Sequence, residues 1–490
     1  MQRLLRQDSV ATSIGLVFSM LLLQRLAAFV RGILFARLLG TEEYGIYALS
    51  YFLIMIPVGI TSLGIPSSFS RYIPRYQQKS GVRWFVRKAY SLNIAVAVAA
   101  AVAVFLVPSH LSGMIYDDPS HTAIIMVVAL SIPCLVVMRN LVSTFSGLKL
   151  FRASSVLEFS QAAIYAVIGT LLVALSRSAT TGLFAFVLSL VATLGIFTPL
   201  LRGHLRSQEP TFRAVEEHDF YRRLLKFTIW FAVTPILVQV FHYVDRLSLQ
   251  HLMGTSDQGI YSAVVNLSTT IWAMGLAVNN VIYPHLSTLW ESGQRQKALD
   301  DLDLTVRVST VMLVAISFVL VALGERIILL LLGPEYVAGA KVLPPLVVFY
   351  LFHTCVWLFG VYPGLIERTY VGAVALACAL PVNIILNLAL IPRMGIVGAG
   401  LATMLSYFLM WCIVLGICTA LGMRLRKKTI VIAASPFVLL LPTTMAMAAI
   451  ALIMLLSVKT PWILSAGERR TVSEEVGRVL SRLKRPRWQG

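Results

Sequence analysis

The sequence predicts an all-α polytopic membrane protein: two pseudo-twofold-related six-helix lobes around a central cleft, plus one or two extra C-terminal spans. Three observations predict it. Of the 490 residues, 58% are hydrophobic and only 13% are charged, where a soluble domain carries about a quarter charged. Apolar runs of about 20 residues recur along the whole length, each long enough to cross a hydrocarbon core of about 30 Å. Finally, a phrase is repeated: LLGTEEYGIYALS begins at Leu38 and HLMGTSDQGIYSAV at His251. Aligning Gly40 with Gly254, an offset of 254 − 40 = 214, matches five of the twelve positions from Leu39 to Ser50. A β-barrel would show short alternating segments instead.

The elements follow in order. The first apolar segment, 10–36, comes after Arg3 and Arg6 and runs past Leu26 without a small-residue cleavage site near its end, so an uncleaved span is expected. Segments 45–66, 89–107, 122–145, 153–175 and 181–201 complete an N-terminal lobe, residues 1–206. A mixed-charge loop, 207–225, joins it to a second lobe, 226–422, with segments 226–250, 259–283, 303–323, 342–366, 369–390 and 396–419. Ile327–Leu332 is too short to span and is expected to fold back at the surface. Residues 423–464 hold the extra span or spans: either one segment over 429–457, or two short ones around Pro442. In the basic tail, 465–490, Thr471 and Glu474 match a capping box, and Val472, Val476, Val479, Leu480 and Leu483 follow helical spacing. It reads either as a helix lying on an anionic membrane surface or as a disordered basic tail.

The net charge of +19 sits in alternate loops. Arg71, Arg75, Lys79, Arg83, Arg87 and Lys88 follow the second segment, and Arg424, Arg426, Lys427 and Lys428 follow the twelfth; VPSHLSGMIYDDPSH, in an opposite loop, has no Lys or Arg. That alternation expects a multi-pass protein of the cell membrane with a cytoplasmic N-terminus, and no nucleic-acid partner. Both copies of the repeated phrase then fall in outer loops. Six spans separate them, an even number, so the repeat is parallel, with its axis along the membrane normal. Glycine permits the tight turn, and Thr41 or Thr255 can cap the following helix. A second echo, TTGLFAFVLSL against IVGAGLATMLS, has an offset of 398 − 182 = 216. Two such lobes are the architecture of an alternating-access transporter.

A charge near the bilayer centre costs roughly 2.5–3.5 kcal/mol on insertion scales, so each mid-span charge needs a reason. Arg25 and Arg31 read either as cleft residues for a phosphate, whose oxygens match the planar guanidinium, or as structural or snorkelling cations. Offset by 214, Arg31 corresponds to Asp245. The two are expected to pair across the cleft in one state; alternatively Asp245 serves a coupling cation or proton. Gln239, His242 and Arg246 share one helical face, placing Arg246 with the substrate arginines and Gln239 and His242 with Asp245 at a gate or coupling site. His242 reads either as a titrating group or as a satisfied buried histidine. Arg139 and Glu158 flank the turn near Lys149 at similar depth and are expected to form a structural ion pair.

The five cysteines all lie in apolar segments without metal-type spacing and read as buried small hydrophobes. No phosphate-binding glycine loop, nucleotide fingerprint or nucleophile elbow occurs, so no cofactor, metal or catalytic residue is expected, and energy would come from an ion gradient or the membrane potential.

ARLLGTEEYGIYALS, LLGPEYVAGAKVLPPL and GIVGAGLAT, in this order, resemble the oligosaccharide flippases. These form the polysaccharide branch of the multidrug/oligosaccharidyl-lipid/polysaccharide exporter superfamily. The resemblance covers about residues 8–455. It implies a transporter that moves polyprenyl-(pyro)phosphate-linked oligosaccharide from the cytoplasmic to the outer leaflet, for cell-surface polysaccharide or glycan biosynthesis. The implied partners are that lipid-linked oligosaccharide, membrane lipids and glycosyltransferases of the same pathway, with the chain itself a monomer. A drug/cation exporter of the same superfamily would favour a cleft dominated by carboxylates. Here four mid-span arginines (25, 31, 139, 246) stand against two acids (158, 245), which favours an anion. A membrane glycan polymerase or ligase would present a large outer loop with catalytic arginines or carboxylates, and no outer loop here is large.

Overall fold

The structure, a computed structural model, describes residues 10–78, 80–206, 219–424 and 426–459. Among these residues all regular elements are helical. Helix α1, Val10–Thr61, has 52 residues. A straight helix of that length would run about 78 Å, more than twice a hydrocarbon core. It is broken instead at Gly40, whose φ is 73° and ψ is 178°. Helix α8, Phe220–Met253, ends at Gly254 with φ 90° and ψ 177°, and α9, Thr255–Glu291, follows at once. The two copies of the phrase therefore make the same turn, in a backbone conformation open to glycine and closed to other residues.

The rest of each half runs in parallel. The first half continues with α2 (Ile65–Gln78), α3 (Val82–Leu106), the short α4 (Pro108–Tyr116), α5 (Thr122–Gly147), α6 (Phe151–Ser176) and α7 (Ala179–Arg206). The second continues with α10 (Arg295–Ala322), the short α11 (Gly324–Leu331), α12 (Leu343–Phe359) with α13 (Val361–Leu365), α14 (Tyr370–Met394) and α15 (Ile396–Ala420). Each half thus carries a non-spanning helix between its third and fourth long helices, and α11 is the fold-back expected at Ile327–Leu332. Among the described residues ten helices are long and apolar enough to cross a membrane, or eleven with the bent pair Phe220–Ile229 and Ala232–Met253 taken as one span. Ser19–Thr61 is counted once there; divided at Gly40 it gives two passes, hence six per half.

The single C-terminal span over 429–457 is not formed. The segment divides into α16 (Lys427–Ala433), a 3-10 turn (Ser435–Leu440) and α17 (Thr443–Lys459). Pro436 and Pro442 supply no backbone N–H and interrupt a continuous helix. The tail 465–490 and residues 207–218 of the joining loop lie outside the described residues. The cysteine expectation also needs correction: Cys378 and Cys412 are exposed, while Cys355 and Cys418 are buried.

Contacts divide the chain into two compact units that do not coincide with the repeats. The first comprises 1–267, 328–339 and 384–399; the second comprises 268–327, 340–383 and 400–490. An aromatic core of Phe35, Tyr47, Tyr165 and Phe186 fills the first unit. The second packs around α12, where Phe349, Phe352 and Cys355 are buried and His353 stacks 5.7 Å from Trp272. In that unit Asp303 accepts from Arg307 Nη2 at 3.0 Å and from Arg426 Nη1 at 3.4 Å, and the Thr429 hydroxyl donates to it as well. This network fastens α16 to α10.

Candidate functional site

The first unit holds a cavity of about 400 Å³. Its wall comes from both limbs of α1 (Gln24, Tyr51, Met55), the turn after it (Ser62), the start of α2 (Pro66, Ser67), α5 (Met138, Arg139, Ser143), α6 (Glu158, Gln161) and α8 (Ala232, Pro235). Two of the mid-span charges, Arg139 and Glu158, face into it. Among the described residues they form no ion pair: the Arg139 Nη2 contact is the Met55 sulfur, at 3.6 Å, and the cation acting on Glu158 is Arg25. The expected structural pair is therefore replaced by two charges on one cavity wall. Equal depth on neighbouring helices set their height but not their direction. Around them the wall is polar where it need not be: Gln161 donates to Ser189 Oγ at 3.0 Å.

Arg31 does not line this cavity. It is half-buried, with its guanidinium 4.0 Å from the Tyr165 ring centre and 6.0 Å from that of Tyr51. Tyr47 and Tyr165 share a hydrogen bond of 2.9 Å, and Tyr165 donates to the Gly182 carbonyl at 3.2 Å. Tyr51 and Phe186 belong both to this cluster and to the cavity wall, so Arg31 stands one aromatic layer behind it. Arg25 is exposed on α1.

Asp245 and Arg246 are both buried, in α8, with other partners than those expected. Asn387 Nδ2 donates to Asp245 at 2.7 Å and the Tyr261 hydroxyl at 3.4 Å, which occupies both carboxylate oxygens. Arg31 and Asp245 thus hold separate partners here. Arg246 stacks 3.7 Å over the Phe52 ring and donates to the His242 carbonyl at 2.7 Å. Gln239 and His242 are half-buried two turns and one turn before it, respectively.

Close approach explains the repeated phrase. A methyl group at Gly45 would overlap the Thr255 carbonyl oxygen, and one at Gly259 would overlap the Thr41 carbonyl oxygen. The offsets are 259 − 45 = 214 and 255 − 41 = 214, so the clash is reciprocal. Thr41 and Ser256 hydroxyls lie 2.8 Å apart beside it. Chain direction reverses at Gly40 and Gly254, and the helices that leave the two turns cross with backbone against backbone.

Two further contacts lie at this end. Arg37 Nε donates to the Leu331 carbonyl at 2.7 Å and its Nη2 to the Leu330 carbonyl. His251 Nδ1 lies 2.8 Å from Asp117 Oδ2, the residue that closes α4. Nothing in the sequence marks Arg37 or His251 except the 214-residue offset that aligns them, and Asp117 stands there in a loop noted only for having no Lys or Arg. Among the described residues no group of three His, Cys, Asp or Glu is gathered as a metal would require.

Comparison with known proteins follows from this geometry. A family model described as "Polysaccharide biosynthesis protein" matches residues 10–290, more than half of the chain. An uncharacterized membrane protein of Methanocaldococcus jannaschii is 26% identical over 171 residues, 34% of this chain and 34% of that protein. The probable low-salt glycan biosynthesis flippase Agl15 of Haloferax volcanii is 22% identical over 240 residues, 49% of each. The chain thus spans half or less of the length of the curated relatives it matches. Among solved structures, the lipid II flippase MurJ in an inward closed conformation has a TM-score of 0.70 at 14% identity, covering 90% of this chain and 98% of that one. At that identity the likeness is one of fold.

Proposed function

The chain belongs to the polysaccharide biosynthesis protein family, and from that premise we propose that it flips a phosphate-linked glycolipid across the cell membrane by alternating access. The observation that carries this reading is Arg139: a guanidinium on a cavity wall, without an acid bound to it among the described residues. A bare guanidinium in a low dielectric is costly, and a phosphate or diphosphate headgroup offsets that cost through a bidentate pair of charge-assisted hydrogen bonds. Arg25, acting on Glu158, adds a second cation to that neighbourhood. Arg31, behind Tyr51, adds long-range attraction and holds the aromatic wall.

In this reading the basic loops face the cytoplasm, as the positive-inside pattern supports. The cavity then receives the headgroup from the cytoplasmic leaflet while the isoprenoid tail stays in lipid, and the end bearing Gly40 and Gly254 faces outward. Asp245, held by Asn387 and Tyr261, keeps α8 in place rather than gating. A glycan polymerase or ligase is set aside, because the relatives and solved structures whose printed names give a role are flippases or multidrug transporters. The sugar supplied by glycosyltransferases remains outside the cavity argument, since phosphate alone is recognised by it.

The test is reconstitution. Proteoliposomes holding the full chain and polyprenyl-diphosphate oligosaccharide should expose the glycan to an impermeant lectin in the opposite leaflet, with protein-free vesicles silent. A chain that exports an organic cation and leaves the glycolipid unmoved would sink the reading in favour of the drug/cation exporter.

A further inference from the structure

The later part of α2 and the starts of α3 and α8 gather a feature that the cavity does not use. Arg71 and Arg75 on α2, Arg83, Arg87 and Lys88 on α3, and Arg222, Arg223 and Lys226 on α8 are all exposed. Among the described residues of these stretches the one acid is Asp219. Among the described residues these are eight exposed cations against one anion, and they are not spread at random. They ring an aromatic floor: Tyr76 stacks on Phe85 at 5.0 Å, and Trp84 meets Phe220 at 5.0 Å. Arg71 lies 4.5 Å over the Phe227 ring, which fixes α2 against α8. Between these two helices a small cleft is lined by Tyr72, Arg75, Tyr76, Phe220, Arg223 and Leu224.

The position of this cleft matters. Helix α3 carries no charge after Lys88 and no polar side chain after Asn93, so the patch lies near the level where chain leaves water for lipid. Amphipathic aromatics and snorkelling cations belong at that level. The same two helices that form the cleft, α2 and α8, also give Pro66, Ser67, Ala232 and Pro235 to the cavity wall. From Ser67 to Arg75 and from Arg223 to Ala232 is eight or nine residues, so the cleft lies about 12–14 Å along the same two helices from the cavity wall.

We propose that the α2–α8 cleft is a docking surface for the phosphate headgroup of the transported lipid, which Arg75 and Arg223 clamp before it enters the cavity. This rests on the reading of the substrate given above. Tyr72, Tyr76 and Phe220 exclude water from one side, and the surrounding cations draw the headgroup along the leaflet. Basic residues at a membrane surface each add attraction to an anionic headgroup, and two planar guanidinia fit a diphosphate better than two ammonium groups would.

The experiment uses the full chain in phosphatidylcholine nanodiscs, with undecaprenyl diphosphate as the titrated probe and reconstituted flipping as the second readout. The wild type should bind the probe, and raising salt should weaken binding. R75Q/R223Q should bind about tenfold more weakly with a flatter salt dependence and flip the lipid more slowly at sub-saturating probe; R75K/R223K should recover part of the affinity and of the rate. Both pairs are exposed, and a matching elution profile and melting temperature confirm the fold. Equal binding by R75Q/R223Q and wild type, with R139Q alone weakened, would overturn the docking surface and leave the transport reading standing. A wild type that does not bind the probe at all would remove the transport reading, and the docking surface with it.

Discussion

Arg37 and His251 occupy equivalent positions of the two halves, 251 − 37 = 214, and each grips the end of the short helix that the other half supplies. Arg37 binds the last carbonyls of α11 at Leu330 and Leu331; His251 meets Asp117 at the end of α4. The gripped residues are equivalent too, since 331 − 117 = 214. One contact uses a backbone carbonyl and the other a carboxylate, so the geometry is duplicated while its chemistry is not. Both contacts belong to the end where Gly45 and Gly259 cross.

If these contacts keep that end shut, weakening them shifts the population of open states. Each is exposed, so each contributes about 1 kcal/mol or less. R37A/H251A together should then raise maleimide labelling of a cysteine placed at Ser256 by about three- to tenfold. Labelling in membrane vesicles measures this directly. Unchanged labelling in the double variant would mean that the glycine crossing alone holds the end closed.

The crossing itself should tolerate nothing larger than glycine. G45A or G259A forces two helix backbones apart, and such overpacking costs roughly 1–3 kcal/mol. G40A adds strain from a φ of 73°, about 1–2 kcal/mol for a residue with a Cβ. All three should lower the melting temperature of the purified protein. An alanine at Gly416, where a Cβ meets nothing within 4 Å, is the control and should leave it unchanged.

Arg139 and Glu158 offer a sharper division between structure and transport. Were they a structural pair, their double-mutant coupling in stability would reach about 1 kcal/mol or more. As separate wall residues they should show less than about 0.5 kcal/mol. R139Q should keep the melting temperature within a few degrees yet lower flipping by about tenfold or more, one lost bidentate contact to phosphate. The swapped protein, R139E/E158R, should not recover. Restored flipping in the swap would revive the ion pair.

What could be read from sequence and what could not divides along a physical line. The Gly40 and Gly254 turns were legible because a left-handed φ demands a residue type that the sequence displays. The long helices of the two halves were legible because a span is written as apolar length; the segment 429–457 was not, because Pro436 and Pro442 divide it. Direction was not. Arg31 and Arg139 look alike in sequence, yet one stacks on Tyr165 and the other faces the cavity. The difference is made by Tyr47 and Tyr165, joined across 118 residues, and tyrosines in a span look like ordinary apolar filler. Leu331 was invisible for a plainer reason: it contributes a carbonyl, which every residue has.

The clearest stability prediction concerns a site with no part in transport. Asp303 is nearly buried and holds Arg307, which is fully buried, along with Arg426 and Thr429 from 123 and 126 residues away. Breaking a buried charge network by removing one partner strands the other, at about 3–5 kcal/mol. D303N keeps the shape and removes the charge that Arg307 needs. It should destabilise the purified protein by about that amount and free α16, so that limited proteolysis near Leu425 becomes faster. D300N, at an exposed site that contacts Arg426 and Gln296, should cost less than about 1 kcal/mol. Thermal unfolding of both variants separates the two costs, and similar losses would show that Asp303 is not the centre of the network.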